Sequence, residues 1–388
     1  MDKRQIWFLF ICSLVPWTVG NGLLPLLPIY AIQLGADSAL AGYYISFAFF
    51  SLAIGTFLAG WLSDKLQHRK LMLFVSGIVM APLIFLMGYV SNIWHLAGLT
   101  AGVWFFGGIE ISLVNILTGL FAKEEERGKI FGIIGLALAF GNIIGGSLIG
   151  PMVDQWGYSM MFFVLCIFSV ILPISALFLE DKSVVHAQKS KSSIQRHEAR
   201  LDRLFLFLLI AQMLSIVTNA VGTIGRSLAM ANIGFSSTAI TSTVVIGGIV
   251  FLPFPLLIGW LSDRVGRKLL MILSYLSFAL CTVLFIFSKS LWHFWVASSF
   301  LYIGFVSNSV GTALVTDLVP QERLGMGISL FQVMIWIGMV LGFAISGYSI
   351  QNLGRNITFI WGTMLPIVSI FLIVLMRKKD RLDSTPNI

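Results

Sequence analysis

Charge is what this 388-residue chain has least of. Only 11% of its residues are Asp, Glu, Lys or Arg, whereas 57% are hydrophobic and the mean hydropathy is +0.93. So apolar a composition excludes both a disordered chain and a soluble globular domain. The three cysteines, Cys12, Cys166 and Cys281, all fall within apolar stretches, so we expect small buried side chains and no disulfide framework.

Motifs for several kinds of chemistry are also missing. The chain has no G-x-x-x-x-G-K-[ST] phosphate loop, which excludes direct use of ATP, and no H-E-x-x-H, cysteine cluster or G-x-S-x-G motif. We therefore expect neither an enzyme nor a metal or cofactor site. No cleaved signal peptide is evident, because the first apolar stretch is too long for one.

The apolar residues that dominate the chain fall into twelve long stretches. They lie at about 6–32, 38–62, 71–91, 94–121, 130–152, 158–179, 204–232, 238–261, 269–288, 291–318, 326–350 and 357–376. A hydrocarbon core of about 30 Å is crossed by about 20 helical residues. Backbone groups inside it must bond within their own segment, and the short alternating strands of a barrel are missing. The sequence predicts an all-α membrane protein with twelve transmembrane helices.

The basic residues indicate how these helices are oriented. If the helices cross the membrane in alternating directions, 22 of the 25 Lys and Arg residues lie on the same side of it as the N-terminus. The exceptions are Arg226, Lys289 and Arg355. Cytoplasmic loops carry such an excess, so we expect a plasma-membrane protein with both termini in the cytoplasm. Attraction to anionic lipid accounts for the net charge of +8, and no nucleic-acid partner is expected.

The chain divides into two halves that repeat one another. A polar segment at 181–203 predicts a cytoplasmic linker between an N-terminal six-helix bundle at 1–180 and a C-terminal bundle with a short tail at 204–388. Matching features recur at separations of 196 to 199 residues: Gly60 and Gly259, Asn21 and Asn219, Glu126-Arg127 and Glu322-Arg323. Transporters with duplicated six-helix halves bind substrate near the midplane between them.

The clearest repeat is a polar loop after the second helix of each half. It reads GWLSDKLQHRK at 60–70 and GWLSDRVGRK at 259–268. These loops resemble the G-x-L-x-D-R-x-G-R-K motif of the major facilitator superfamily, although the first copy departs at Lys65, Gln67 and His68. The resemblance implies that fold, with a cytoplasmic gate formed by Gly60, Asp64, Lys65, Arg69, Gly259, Asp263, Arg264, Gly266 and Arg267. It also implies that Asp64 accepts hydrogen bonds from the start of the eleventh helix, near Gly325.

Two further patterns are similar to those of the drug/proton antiporter branch of this superfamily. The fifth helix carries a glycine-rich pattern, with Gly146 where that branch usually has Pro: Gly132, Gly141, Gly145, Gly146, Gly150 and Pro151. The first helix carries Gly20, Pro25 and Pro28, similar to a G…P-x-x-P pattern. Close helix packing and a simple kink are equally good interpretations of the two patterns. The Arg that the fourth helix often carries in this family for proton coupling is missing from 103–108.

A few polar residues inside the predicted helices are candidates for the transport site. Glu110 lies near the bilayer centre, about 20 Å from Lys123 at 1.5 Å per residue. An ionised carboxylate there costs at least about 2.5 kcal/mol, so we expect Glu110 to face a cavity or a partner and to carry a proton. The alternative is a structural carboxyl group that bonds neighbouring helices.

Three asparagines and one arginine also lie within these helices. Asn21, Asn219 and Asn308 are near mid-depth, and the family resemblance implies that they line a central cavity; as interhelical bonds they would each contribute about 0.6 kcal/mol. Arg226 either extends to the membrane interface, which we favour, or meets an anionic substrate. Trp17, Trp104 and Trp336 are deep enough to line a cavity, but we expect them to pack in the core.

These observations predict a monomeric secondary transporter that exports a small apolar or amphipathic compound by alternating access, with the proton as coupling ion. Uptake or facilitated diffusion of a metabolite, and flipping of a lipid-like molecule, remain alternatives because the fourth-helix Arg is missing. A non-transporting receptor or a membrane enzyme is a different class. An enzyme would require a polar catalytic cluster, and the sequence offers only scattered polar residues.

Overall fold

The computed structural model describes residues 2–66, 68–122, 126–180, 203–320 and 323–376, without the side chains of Asp64, Arg127 and Asp263. The predicted linker at 181–203 lies almost wholly outside these ranges. So do Glu322 and the side-chain contact predicted for Asp64. Within the described ranges the chain is helical and contains no strands.

The helices follow one another with short connections. The first half contains α1 (Lys3–Leu23), α2 (Leu27–Gln33), α3 (Ser38–Leu66), α4 (Arg69–Met87), α5 (Ile93–Phe121), α6 (Arg127–Ser169) and α7 (Ile171–Leu177). The second half contains α8 (Arg203–Ile233), α9 (Ser237–Phe251), α10 (Phe254–Val265), α11 (Arg267–Phe287), α12 (Leu291–Gly304), α13 (Val306–Leu318), α14 (Leu324–Leu353) and α15 (Arg355–Leu375).

Together these helices make the twelve membrane crossings that the sequence predicts. Among the described residues, eleven apolar helical stretches are long enough to cross a membrane, and one of them, Gly128–Leu177, is 50 residues long. A helix of that length would extend about 75 Å, far more than a bilayer core of about 30 Å. The chain reverses within it at Gly157, whose φ of 77° and ψ of 176° are accessible to glycine and strained for other residues. The fifth and sixth crossings therefore lie on either side of Gly157.

Several predicted segments that we expected to be single helices are broken. The first ends at Leu23 and resumes at Leu27, and the break contains Pro25. The eighth is broken between α9 and α10 at Pro253. Proline has no N–H to donate and its ring crowds the preceding turn, so the helix restarts with new backbone partners. These prolines are visible in the sequence, but we did not predict that the helices end at them.

The two halves form six-helix bundles with matching internal contacts. In the first, Lys70 Nζ donates a 2.6 Å hydrogen bond to the carbonyl of Leu177 at the end of the sixth crossing. In the second, Lys268 Nζ donates to the carbonyl of Met376 at the end of the twelfth. Donors and acceptors are thus 198 and 199 residues apart, which confirms the duplication in three dimensions.

The bundles contact each other mainly through α3 with α14 and α6 with α9. We call the end of the molecule with residues 2 and 376 the terminal end, and the opposite end the distal end. At the distal end Gly42 and Gly347 bring α3 and α14 so close that a Cβ on Gly42 would lie 2.6 Å from the Gly347 Cα. Nearer the middle, the rings of Phe49 and Phe343 stack at 4.9 Å. The bundles are thus packed together on the distal side.

Candidate substrate cavity

A cavity of about 680 Å³ lies between the two bundles. Its wall comes mainly from the first, second, fourth, seventh, tenth and eleventh crossings, with one or two residues from others. A second cavity of about 360 Å³ shares Trp17, Ile111, Asn115, Leu138 and Phe251 with the first. It continues between α6 and α10 toward the terminal end. The central space therefore extends toward the terminal end, and the packed helices α3 and α14 lie at the distal end.

The cavity wall is mainly apolar and aromatic. Trp17, Trp104 and Trp336 all line it. Trp104 also belongs to the buried core and Trp336 packs against it, so the core packing that we favoured holds for these two beside the cavity role. The reason is geometric: all three lie on helix faces that turn to the other bundle, where the packing has a gap. Tyr302 and Phe305 add a pair of stacked rings, 6.0 Å apart, from the tenth crossing. Such a wall suits a ligand with an aromatic or aliphatic body.

All three candidate asparagines line the cavity. Asn21 Nδ2 donates a 2.8 Å hydrogen bond to Oδ1 of Asn142 on α6. Asn219 is its counterpart in the second half, but the position that matches Asn142 is Val340, and both polar atoms of Asn219 are buried without a partner among the described residues. Buried amide groups are nearly always hydrogen-bonded, and Asn219 is an exception to this rule. Its amide is therefore available as a donor and an acceptor for a ligand at the cavity wall.

Asn308 belongs to a buried network that we did not predict. Its Oδ1 accepts a 2.7 Å hydrogen bond from Gln212 Nε2, and Gln212 Oε1 accepts one of 2.9 Å from the Tyr275 hydroxyl. The chain Asn308–Gln212–Tyr275 joins the tenth, seventh and ninth crossings. Gln212 was visible in the sequence as a lone amide in an apolar helix, but its partners were not.

Arg226 does not extend to the membrane interface, and our preference for that interpretation is wrong. Its side chain is 1% exposed and lines the cavity. One guanidinium nitrogen, Nη1, lies 3.3 Å from Ser298 Oγ, and the Tyr302 hydroxyl also contacts the group. The α8 helix presents this position to the centre of the molecule, where polar partners replace the lipid headgroups that snorkelling requires.

Glu110 is buried in the first bundle and is not part of the cavity wall. Gly107 and Ile111 line the cavity, whereas Glu110 lies on another face of α5 and is 0% exposed. It approaches Ser76 on α4 and Cys12 on α1. Its pseudo-equivalent, 198 residues later, is Asn308. Neither carboxylate oxygen of Glu110 has a hydrogen bond within normal limits among the described residues.

The glycines of the fifth crossing let α6 approach two helices at once. A Cβ on Gly145 would lie 2.4 Å from the Thr18 carbonyl oxygen of α1, and one on Gly150 would lie 2.1 Å from Thr241 Oγ1 of α9. Gly141 faces α1, Gly146 faces α9 and Gly132 faces Pro255 in the same way. The pattern thus allows close packing of α6, and part of it lies at the contact between bundles.

Asp154, at the distal end of the fifth crossing, is a functional candidate that we missed. Its Oδ1 accepts a hydrogen bond of 2.9 Å from the Ser237 N–H, and Oδ2 accepts bonds of 2.8 and 2.6 Å from the N–H and hydroxyl of Thr238. Ser237 and Thr238 begin α9 of the other bundle. The carboxylate thus binds the positive end of a helix across the bundle interface.

The repeated loops hold helices together within each half at the terminal end. Arg69 Nε donates a 2.7 Å hydrogen bond to Ser63, and Arg267 forms a 2.7 Å ion pair with Asp317 at the end of the tenth crossing. Lys65 and Arg264 each lie over a tryptophan ring of the same loop. These contacts fix loop shape; whether the loops act as a gate stays a prediction.

A central cavity between two duplicated six-helix bundles defines the class of this protein: it is a multi-pass membrane transporter. The chain belongs to the Major Facilitator Superfamily, whose family model matches residues 6–227 and again 204–387. This confirms the resemblance drawn from the loop motifs. Members of this family are transporters and not enzymes.

Curated relatives have the same kind of chain. Multidrug resistance protein MdtG of Enterobacter lignolyticus (strain SCF1) is 28% identical over 309 residues, which is 75% of this chain and 72% of that protein. MdtG of Escherichia coli O17:K52:H18 (strain UMN026 / ExPEC) is 29% identical over 294 residues, 70% and 69% of the two chains.

Solved structures share the fold. The nucleoside transporter NupG superposes with a TM-score of 0.78 over 98% of this chain and 100% of its own, at 18% identity. A POT family transporter in complex with 5-aminolevulinic acid gives 0.76 over 97% of each chain, at 14% identity. Identities this low establish the architecture alone.

Proposed function

We propose that this protein exports small amphipathic compounds across the plasma membrane in exchange for protons, by alternating access of the central cavity. The observation that carries the proposal is the mainly aromatic and apolar cavity between the bundles. Its volume of about 680 Å³ is within the range of sites for drug-sized molecules. The names of the MdtG relatives, multidrug resistance proteins, agree with such a substrate class.

The orientation follows from the basic residues. Most of those that the structure describes lie at the terminal end, which the positive-inside rule assigns to the cytoplasm. The exposed tryptophans Trp94, Trp156 and Trp292 lie at the distal end and fit an aromatic belt at the outer interface. The cavity then extends toward the cytoplasm, from which an exporter takes its substrate.

Alternating access requires contacts between the bundles that break on one side as others form. We assign this role on the distal side to Asp154 and the α9 N-terminus, and to the Gly42–Gly347 approach. On the cytoplasmic side we assign it to the loops at 60–70 and 259–268. Rocking of the bundles about the cavity would break the distal set and bring those loops to the opposite bundle.

Proton coupling is assigned to Glu110. An acid buried without a firm hydrogen-bond partner is stable when neutral, and its counterpart Asn308 is a permanently neutral amide with a partner in Gln212. Because Glu110 lies behind the cavity wall, its protonation would act through the packing of α5 against α1 and α4. It would not act by touching the substrate.

The test is substrate-stimulated proton flux in proteoliposomes containing a pH dye. Compounds would be drawn from a panel of cationic, neutral and anionic amphipaths. Glu110→Gln should abolish gradient-driven transport while the protein inserts and while exchange of substrate across the membrane without a gradient continues. Asp2→Asn is the matched control, because it makes the same acid-to-amide change at a helix cap where Asn serves equally well. Undiminished gradient-driven transport in Glu110→Gln would reject the role of this residue.

Facilitated diffusion of a metabolite is the second candidate. Two observations favour it: the segment 103–108 has no arginine, and Glu110 does not line the cavity. If no compound of the panel moves protons but several equilibrate across the membrane, this candidate replaces the exporter.

A further inference from the structure

One charged side chain lines the central cavity in the described part of the chain, and it is Arg226. The rest of the wall is apolar, aromatic or neutral and polar. A buried guanidinium is strongly disfavoured unless another group compensates its charge. In folded proteins a carboxylate usually does so, through paired hydrogen bonds.

No carboxylate of the described residues takes this role for Arg226. Its electrostatic neighbours are Tyr302 and Cys281, and its hydrogen-bond neighbours are Ser298 and Tyr302. The ion pair Arg267–Asp317 lies at the other end of the molecule. Glu110 faces Cys12 and Ser76 inside the first bundle. No carboxylate among the described residues therefore compensates the positive charge in the cavity.

The guanidinium also has an unused donor. Nε of Arg226 is buried and has no hydrogen-bond partner among the described residues. Ser298 and Tyr302 hold other parts of the group and fix its position. About two turns earlier on the same helix face, the fully buried amide of Asn219 lacks partners among the described residues as well. An oxyanion would compensate the fixed positive charge and would also accept a hydrogen bond from the free N–H donor.

We propose that Arg226 is the specificity-determining residue of the cavity and that the transported compounds are organic anions. The oxyanion, a carboxylate, sulfonate or phosphonate, would bind at Arg226, and the aromatic or aliphatic body would lie against Trp17, Trp104 and Trp336. This inference rests on the proposed function in taking the central cavity as the transport site. It sharpens that proposal from amphipathic compounds in general to anionic ones.

The test uses three probes with one body and three permanent charge states: 4-phenylbutanesulfonate, 4-phenylbutanol and 4-phenylbutyltrimethylammonium. Binding to the purified full-length protein is measured by quenching of tryptophan fluorescence and by calorimetry. The sulfonate should bind at least tenfold more tightly than the ammonium. Arg226→Gln should remove this preference and leave the alcohol within threefold. Arg226→Lys, which keeps the charge, should retain a reduced preference for the sulfonate.

Two variants guard against loss of folding. Arg355→Gln makes the same substitution at the distal surface, where Arg355 contacts only Asn356 in the described hydrogen bonds, and should bind like the wild type. Tyr302→Phe keeps the arginine but removes a hydroxyl contact, and should weaken the sulfonate selectively by a smaller factor. Variants are compared only when they elute as monodisperse protein of wild-type size.

The outcomes separate this inference from the proposed function. Equal affinity for the three probes, no binding of the sulfonate, or an unchanged sulfonate preference in Arg226→Gln would overturn it, even if neutral compounds are transported. If the sulfonate binds through Arg226 but no probe crosses the membrane in vesicles, the anion site stands and the transport proposal fails.

Discussion

The contact between Asp154 and the start of α9 makes a sharp prediction about which side of the transporter is open. Asp154 is on the first bundle and its three acceptor bonds go to Ser237 and Thr238 on the second. Replacing Asp154 with alanine removes all three bonds and the favourable charge at the helix N-terminus. The substitution therefore destabilises the state in which the distal ends touch. It does not change the free energy of a state in which they are apart, because these bonds are absent there.

The magnitude follows from the parts of this contact. Loss of a helix-capping acceptor costs about 0.5–2 kcal/mol, and a carboxylate at an exposed helix N-terminus contributes about 0.3–1 kcal/mol. Asp154 is exposed, so solvent weakens both effects. We expect the distally closed state to lose about 1–2 kcal/mol. At 1.4 kcal/mol per factor of ten, the ratio of distally open to closed molecules should rise about 5- to 30-fold.

Pulsed electron spin resonance can measure this shift. Spin labels at Gln33 on the first bundle and Asn352 on the second lie at the exposed distal ends of their helices. Labels are introduced after Cys12, Cys166 and Cys281 are replaced by serine or alanine. The Asp154→Ala protein should show a larger fraction of long label distances than the parent.

Asp37→Ala is the matched control for this experiment. Asp37 also caps a helix at the distal end, accepting a 2.7 Å hydrogen bond from the Leu40 N–H, but donor and acceptor belong to the same bundle. Its removal should weaken α3 without changing the distance distribution. If Asp154→Ala leaves the distribution unchanged, or if Asp37→Ala shifts it as far, Asp154 does not hold the distal side closed.

Three further predictions concern packing and the buried networks. Gly150→Ala should reduce transport strongly and favour distal opening, because the new Cβ would lie 2.1 Å from Thr241 Oγ1, whereas Gly98→Ala, which meets open space, should be neutral in the same transport and distance measurements. Gln212→Leu should lower the thermal stability in detergent by more than Tyr275→Phe does, since it leaves two buried partners unsatisfied at about 1–3 kcal/mol each. Asp317→Asn should lower the free energy of unfolding by less than about 1 kcal/mol, because both partners of its ion pair are partly exposed. The thermal unfolding temperature should therefore shift only slightly, and a large shift would mean that the pair has a structural role.

The number of crossings, their order and the duplication could be predicted because each depends on local or periodic features of the sequence. Bilayer thickness sets helix length, and Gly, Asn and charged-loop spacings reveal the repeat. The helix breaks near Pro25 and Pro253 and the reversal at Gly157 required the backbone. These prolines and this glycine can be recognised in the sequence. Their effect on the helices depends on backbone hydrogen bonds with neighbouring residues, which the sequence does not show.

The rotation of each helix could not be predicted, and this explains the errors at the candidate site. A membrane helix is apolar toward lipid and toward its bundle, so apolar periodicity does not say which face meets the cavity. Glu110 and Ile111 differ by one position and about 100° of rotation. Ile111 lines the cavity and Glu110 does not. The same ambiguity led us to place Arg226 at the interface and to favour core packing over the cavity for the deep tryptophans.

The pair Glu110 and Asn308 shows how a duplicated fold can divide its tasks. The two positions are equivalent in the repeat. Glu110 approaches the first and third crossings of its bundle, and Asn308 bonds to the first crossing of its own. Asn308 is held there by Gln212, whose counterpart in the first half is Leu14. The first half thus keeps a titratable group without the amide that would satisfy it, while the second half keeps the amide network and carries the cavity arginine. Under the proposals made above, the first bundle would respond to protons and the second would select the substrate. Coupling would then require only that both bias the same movement between the bundles.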